Sequence, residues 1–393
     1  MSEFKNLPSG WSVVRLGEIG KIVNGLTYSP ENVSNNGLLV LRSSNINDNS
    51  IVLNNDDVYV KGISKFNKTL ENDILICVRN GSKNLIGKSA LITEKYKDLA
   101  FGAFMAIFRS NYNLFLMHIF KTNTFFKQVK NDLGATINSI NNGNLLNFKI
   151  PLPPLDEQEK IAEILSTWDK AINLTINLIE SKKQFKKALM QNLLTAKIRF
   201  PQFKDEWRAI ELGEICDIST GTSKSRFIGD GKFYIVDMGS ITQDGLLNLT
   251  KTTNLSQDFL DCGDLVMPKD DIGGGKIIGK VAVIDKDNTY VLSDHIFRIK
   301  TTENSNFLAY LINSNLINKK IRREVSGTAQ LGLSKRTIEN LKIKLPNLKE
   351  QQKIAEVLMA CDDEINLLNL KLENLKKQKQ GLMQKLLSAK VRI

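Results

Sequence analysis

The residues Gly274, Gly279 and Lys280 satisfy G-x-x-x-x-G-K in GGKIIGKV, the spacing of a loop that cradles nucleotide phosphates. Val281 stands where a magnesium-binding Ser or Thr is required, and KVAVI reads as a strand, whereas a phosphate loop must open a helix. The corresponding stretch SKNLIGKSALI carries Ser82 in place of the first glycine. A turn between two strands explains both copies. Other catalytic constellations are missing from the sequence. His118 and His295 are the only histidines, isolated from Cys77, Cys216, Cys262 and Cys361, and read as domain-packing residues. The cysteines form no C-x-x-C pair, which argues against a zinc site or a disulfide framework and for small buried or reduced thiols. No Asn-Pro-Pro-aromatic or Asp-Pro-Pro-aromatic run is present to hold a target amine.

Binding chemistry is better represented. The chain carries a formal charge of +12 and an isoelectric point near 9.3, a balance that favours a phosphate backbone as partner but is also met in basic proteins that bind no nucleic acid. Arg pairs bidentately with guanine, and Asn or Gln with adenine. Polar loops at matching places are therefore the candidate base readers: RSSNIND (42–48) against DMGSITQD (237–244), VRNGSKN (78–84) against PKDDIGGGK (268–276), and GATINSINNGN (134–144) against GTAQLGLSKR (327–336). They nominate Arg42, Asn45, Arg79, Asn80 and Asn138 in the first half, and Lys269, Lys276, Gln330, Lys335 and Arg336 in the second. The basic runs Lys182, Lys183, Lys186, Lys187 and Lys376, Lys377, Lys379 read as the solvated face of a helix, with phosphate contact as the alternative.

These loops must be positioned by elements that occur twice. Leu152 to Phe200 reappears as Leu345 to Ile393 at a constant offset of 193 residues (345 − 152) without a gap. The opening LPPLDEQEKIAEIL is echoed by LPNLKEQQKIAEVL, and LMQNLLTAKIRF by LMQKLLSAKVRI. Upstream, Trp11, Leu16, Gly17, Glu18 and Ile19 match Trp207, Leu212, Gly213, Glu214 and Ile215. The module boundaries expected from the repeat are 1–150, 151–200, 201–343 and 344–393. Alternating strands such as SALITEKY and KVAVIDKD, followed by helical runs such as NLFLMHIFKTNTFFKQVKN and NFLAYLINSNLINKKIRREV, make each globular domain α+β.

The repeated segments are long helices with coiled-coil seams. Ile354, Leu358, Cys361, Ile365, Leu368, Leu372, Leu375, Leu382 and Leu386 alternate in steps of four and three, interrupted by Lys379. Ile161, Leu165, Trp168, Ile172, Ile179, Leu189 and Leu193 occupy the same positions in the first copy, with Thr175, Lys182 and Lys186 as breaks. Pro153, Pro154 and Pro346 stop the preceding strands, and Asn347 with Glu350 forms a capping-box pattern. A helix of this length spans roughly 60 Å at about 1.5 Å per residue. In the order domain, helix, domain, helix, one helix leads out and the other returns, so the expected arrangement is antiparallel with pseudo-twofold symmetry. No apolar stretch is long enough to cross a bilayer and no secretory leader is evident, so a cytoplasmic location is the default.

The duplicated proline–Glu-Gln helix starts, each closing a domain that begins W-x-x-x-x-L-G-E-I, resemble the specificity (S) subunits of type I restriction–modification systems. The resemblance covers essentially the whole chain; Asn347 and Lys349 depart from Pro154 and Asp156 of the first copy. It implies two target-recognition domains joined by conserved helices, and a non-catalytic subunit that reads a split, asymmetric sequence on double-stranded DNA. The implied partners are two adenine-N6 methyltransferase subunits, to which restriction subunits add. S-adenosylmethionine would then belong to the methyltransferase, and ATP and magnesium to the restriction subunit. Leu174, Ile176, Leu178, Phe185, Leu194, Leu367, Leu370 and Leu387 lie off the seams and could dock the methyltransferase or pack on their own domains. A DNA-targeting subunit of another defence or methylation system, a nucleotide hydrolase and a coiled-coil adaptor stand as alternatives.

Overall fold

The computed structural model describes residues 7–47, 49–133, 138–271, 274–325 and 331–393. It divides into two compact units, one of residues 1–176 and 371–393, the other of 177–370. Each unit therefore combines one α+β domain with one half of each long helix. No helix among the described residues is long and apolar enough to cross a membrane.

In the first unit, β1 (Ser12–Arg15) pairs antiparallel with the domain's last strand, Lys149–Leu152, in the register Ser12 to Leu152, so the domain closes on itself just before the helix begins. Its main sheet runs β2 (Lys21–Asn24), β5 (Ile74–Cys77), β6 (Ser89–Leu91) and β8 (Met105–Arg109) in the spatial order β2-β8-β5-β6, all antiparallel. A second sheet places β3 (Leu38–Leu41) between β4 (Val58–Val60), antiparallel, and β7 (Ala100–Phe101), parallel. The run predicted as one helix after β8 is two, Asn113–Ile119 and Asn123–Asp132, because Thr122 caps the second by accepting from the Phe125 N–H. Phe101, Phe108, Phe115, Phe120 and Phe125 are fully buried between these layers.

The second unit repeats this plan. β9 (Arg208–Glu211) pairs with Lys342–Leu345, and the main sheet places β10 (Cys216–Thr220), β15 (Ile296–Thr301), β12 (Leu265–Pro268) and β13 (Ala282–Val283) side by side. A smaller sheet pairs β11 (Phe233–Val236) with β14 (Tyr290–Leu292) in parallel. Helices Ser305–Asn313 and Asn315–Arg323 follow, divided at Ser314. Gly25 and Gly221, at the ends of equivalent strands, show why the plan needs glycine there. An added Cβ would sit 2.1 Å from the Gly102 carbonyl oxygen in one domain and 2.6 Å from the Leu292 carbonyl oxygen in the other.

The long helices span Leu155–Leu193 and Leu348–Leu386. The seam holds: every seam residue named above is buried or half-buried, including the three breaks and Lys379. Their starts are fixed by the repeated Glu-Gln. Gln158 Nε2 donates to the Pro153 carbonyl (2.7 Å) and Gln351 Nε2 to the Pro346 carbonyl (2.9 Å), both from buried positions. Asn347 Oδ1 caps the second helix through the Glu350 N–H (3.0 Å). Only half of a capping box forms, because the Glu350 carboxylate is taken by Arg199 at 2.7 and 2.9 Å. In the first unit Glu157 is held in the same way by Arg392 (3.0 Å) and also accepts from Trp11 Nε1 (3.1 Å).

Two further symmetric contacts occupy the seam. Lys379 is ion-paired with Asp169 in the first unit, and Lys186 lies 2.5 and 2.6 Å from the Asp362 carboxylate in the second. Within each unit the helix halves therefore run antiparallel. The seam lysines expected on a solvated face are the polar keys of the pairing. Each aspartate takes an additional partner from its domain: Lys121 Nζ at 3.3 Å from Asp169, Tyr310 Oη at 2.6 Å from Asp362. Burial alone would raise the Asp169 carboxyl, but Lys121 and Lys379 outweigh it and hold it below the usual carboxylate range.

Removing one member of such a cluster should cost more than removing its conflict. Asp169→Ala leaves Lys121 and Lys379, only 12% and 9% exposed, facing each other without a counter-ion, and is expected to destabilise by about 2–4 kcal/mol. Lys379→Leu completes an apolar seam while Asp169 keeps Lys121, so denaturant unfolding should show a change within about 1 kcal/mol or a gain. Equal losses from the two variants would contradict this account.

His118 beside this cluster is buried as expected; burial, then the Lys121 charge, push its pKa down to about 3. The unfolded chain binds that proton first, near pH 6.5, so stability present at neutral pH is lost as pH falls from there towards 3, at about 1.4 kcal/mol per unit. The unfolding midpoint should drop between pH 7 and 5, and His118→Gln should flatten that drop. A parallel pH profile in the variant would rule the histidine out as its source.

Candidate nucleic-acid interface

Several of the nominated loops converge at the strand ends of the first domain. Arg42 leaves β3, Arg79 and Asn80 follow β5, and Phe104 precedes β8. Arg42 and Ser43 line a cleft of about 470 Å³ with Tyr28 and Phe104. Asn80 Nδ2 donates to Ser43 Oγ (3.0 Å), and its N–H to the Asn138 carbonyl (3.2 Å). Asn138 Nδ2 donates in turn to the Gly81 carbonyl (2.9 Å). The Arg79 guanidinium lies over the Phe104 ring, 5.7 Å from its centroid, and both side chains are exposed. The Arg42 Nη2 donates to the Asp56 carbonyl (3.1 Å), while its buried Nε has no partner among the described residues.

Asn45 is a correction. It is fully buried; its Oδ1 accepts from the Arg42 N–H (2.9 Å) and its Nδ2 donates to Asp57 (2.6 Å) and the Val52 carbonyl (3.2 Å). An amide committed in this way builds the turn that presents Arg42 and has no edge left for a base.

The second domain brings its residues together less completely. Lys269 follows β12, and its backbone joins the His295 carbonyl on one side (3.1 Å) and the Leu333 N–H on the other (2.8 Å). Lys276 is exposed in the turn between β12 and β13. Lys335 and Arg336 are exposed at the start of the short helix Lys335–Glu339, where Lys335 meets Glu339 at 3.5 Å. Gln330 lies outside the described residues. The turn reading of the G-x-x-x-x-G-K stretch agrees with the structure: Gly274, Gly275 and Gly279 take positive φ, and the chain continues into β13 rather than into a helix.

His295 departs from its expected packing role. It is exposed, with Nδ1 2.7 Å from Asp270 Oδ2 and Nε2 3.8 Å from Asp294. Cys262 is likewise exposed rather than buried. Of the basic runs, Lys182, Lys186 and Lys379 are paired with Glu364, Asp362 and Asp169, which leaves them little to offer a phosphate. Of the off-seam apolar residues, Leu194 and Leu387 are buried in the domain cores and Ile176 is half-buried, whereas Leu174, Leu178, Phe185, Leu367 and Leu370 are exposed. Phe104 and His295 fall outside the matched loops, although a residue placed just before a buried strand (FMAIFR, HIFRIK) is a signal that strand alignment would have found; Asp270 lies inside the 268–276 loop but was not singled out there.

The type I restriction modification DNA specificity domain matches residues 8–181 and again 204–377. The MjaVIII specificity subunit of Methanocaldococcus jannaschii is 27% identical over 98% of this chain and 94% of its own length. The EcoKI specificity subunit of Escherichia coli K12 is 25% identical over 91% of this chain and 84% of its own. Among solved structures, the type I restriction–modification S subunit from M. genitalium shares the fold, with a TM-score of 0.65 at 17% identity over 98% of this chain and 99% of that one. With both halves matched and relatives aligned along nearly its whole length, the chain belongs to the type I restriction–modification DNA specificity family.

Proposed function

We propose that each domain reads one half of a bipartite, asymmetric target in double-stranded DNA, and that the chain itself performs no chemistry. The observation that carries this is one backbone plan presented twice with different exposed side chains. Arg42, Arg79, Asn80 and Asn138 stand in the strand-end loops of one domain; in the other Lys269 follows β12, Lys276 lies in the turn beyond it, and Lys335 and Arg336 open a short helix. Identical surfaces would read a palindrome; unlike surfaces on equal scaffolds read unlike half-sites.

Catalysis then belongs to partners. Leu174 and Leu367 are repeat equivalents, 59% and 66% exposed on the two long helices, and each lies in a different unit. Two equivalent apolar positions fit two copies of one methyltransferase subunit, with Leu178, Phe185 and Leu370 adding exposed apolar surface in the second unit. S-adenosylmethionine would be held by those subunits, and ATP with magnesium by restriction subunits added to them. A cytoplasmic location fits this role.

Cells expressing this chain with its cognate adenine methyltransferase should carry methyladenine in a two-part motif that is missing when the methyltransferase is expressed alone. Single-molecule sequencing reads this directly. A verified complex that leaves genomic DNA without a new motif would contradict the reading.

A further inference from the structure

The two domains can be aligned residue by residue through their hydrogen bonds. Asp73 accepts from the Leu70 N–H and opens β5; Asp264 accepts from the Asp261 N–H and opens β12. The next residues pair alike, Ile74 with Phe108 and Leu91 in one sheet, Leu265 with Ile299 and Val283 in the other. Carried to the strand ends, this register sets Cys77 opposite Met105 and Pro268 opposite Ile296. Two residues beyond Cys77 stands Arg79, and two beyond Pro268 stands Asp270. Loop matching set the stretch 78–84 against 268–276 without a residue-by-residue register. Similarly, Phe104 immediately precedes Met105 and His295 immediately precedes Ile296. A bridge to the segment before the proline hinge confirms the match: Arg79 pairs with Ser139, and Asp270 with Gly332.

The same two backbone positions therefore carry a contacting pair in each domain. In the first it is a cation over an aromatic ring, Arg79 and Phe104; in the second it is a carboxylate hydrogen-bonded to an imidazole, Asp270 and His295. Phe104 and His295 are both about half exposed, 57% for the residue and 48% for the side chain. The pairs are not remnants of a core, and neither belongs to a catalytic constellation.

We propose that Arg79 with Phe104, and Asp270 with His295, are the corresponding base-reading pairs of the two half-sites, and that their opposite chemistry sets unlike bases at the corresponding place. This rests on the proposed DNA-reading function and specifies its determinants. The Arg79 fork matches the O6 and N7 acceptors of guanine, with the Phe104 ring offering an apolar face to a neighbouring base such as a thymine methyl. Asp270 uses Oδ2 for His295 and retains Oδ1 as an acceptor, which fits an exocyclic amino group, N4 of cytosine or N6 of adenine. Lys269 beside it in sequence and the exposed Lys276 add positive charge in the same strand-end loops, offsetting the repulsion between a carboxylate and the phosphates.

The test uses the full chain with its methyltransferase in cells, reading methyladenine motifs for wild type, Arg79→Lys, Phe104→Ala, Asp270→Asn and His295→Gln. Arg79→Lys keeps charge and loses the fork, so preference for one guanine in one half-site should fall about 5- to 150-fold while the other half-site is unchanged. Asp270→Asn adds a donor and should admit keto-bearing guanine or thymine at one position of the other half-site. Phe104→Ala and His295→Gln should each relax the same half-site as their partners. A wild-type motif that survives all four substitutions overturns the assignment, as does relaxation of the same half-site by both pairs. A wild-type chain that confers no motif instead overturns the DNA-reading function on which the assignment stands.

Discussion

Two kinds of cross-helix ion pair underlie the rest of the molecule. In each unit an arginine from the end of one repeat copy meets the glutamate that starts the helix of the other copy, and a lysine inside one seam meets an aspartate of the other. Apolar seams alone can slide by a heptad with small loss; a buried lysine that finds its carboxylate in only one register cannot. The repeat offset places Asp169 and Lys186 of the first copy on Asp362 and Lys379 of the second, so the same pair forms in both units. Specificity of pairing, more than raw stability, is what these charges provide.

The domains depend on those keys because their own partners complete them. Tyr310 closes on Asp362 and Lys121 on Asp169, so each domain is tied to the helix halves of its own unit. The strand that closes each domain runs directly into the proline turn and the helix start. Arg79 and Phe104 in one domain and His295 in the other are exposed, whereas Asn45, Gln158 and Gln351 are buried and committed to the scaffold.

The helical part was legible because periodicity and duplication are properties of many residues at once. The seam positions, the proline stops and the family followed from them, and so did the strand-turn-strand reading around Gly279. Charges were harder. Lys186 and Lys379 looked like interruptions on a solvated face, since a one-dimensional pattern does not reveal that an aspartate on the opposite helix waits for each. Individual readers were harder still. Asn45 and Asn80 are both loop asparagines, yet one is fully buried in its turn and the other, half-buried, ties Ser43 to the Ser82 N–H. His295 was read as packing because its hydrogen-bond partner Asp270 is brought to it only through a strand register. That register also brings Arg79 into correspondence with Asp270, a match that loop composition could not resolve.

The central claim is that one scaffold written twice carries two independent readers. Replacing residues 1–150 by the corresponding segment of a relative with a different target, and sequencing the methyladenine motif laid down with the same methyltransferase, tests it most directly. The account predicts that one half-site is exchanged for the relative's while the other is retained. Simultaneous change of both half-sites would contradict it.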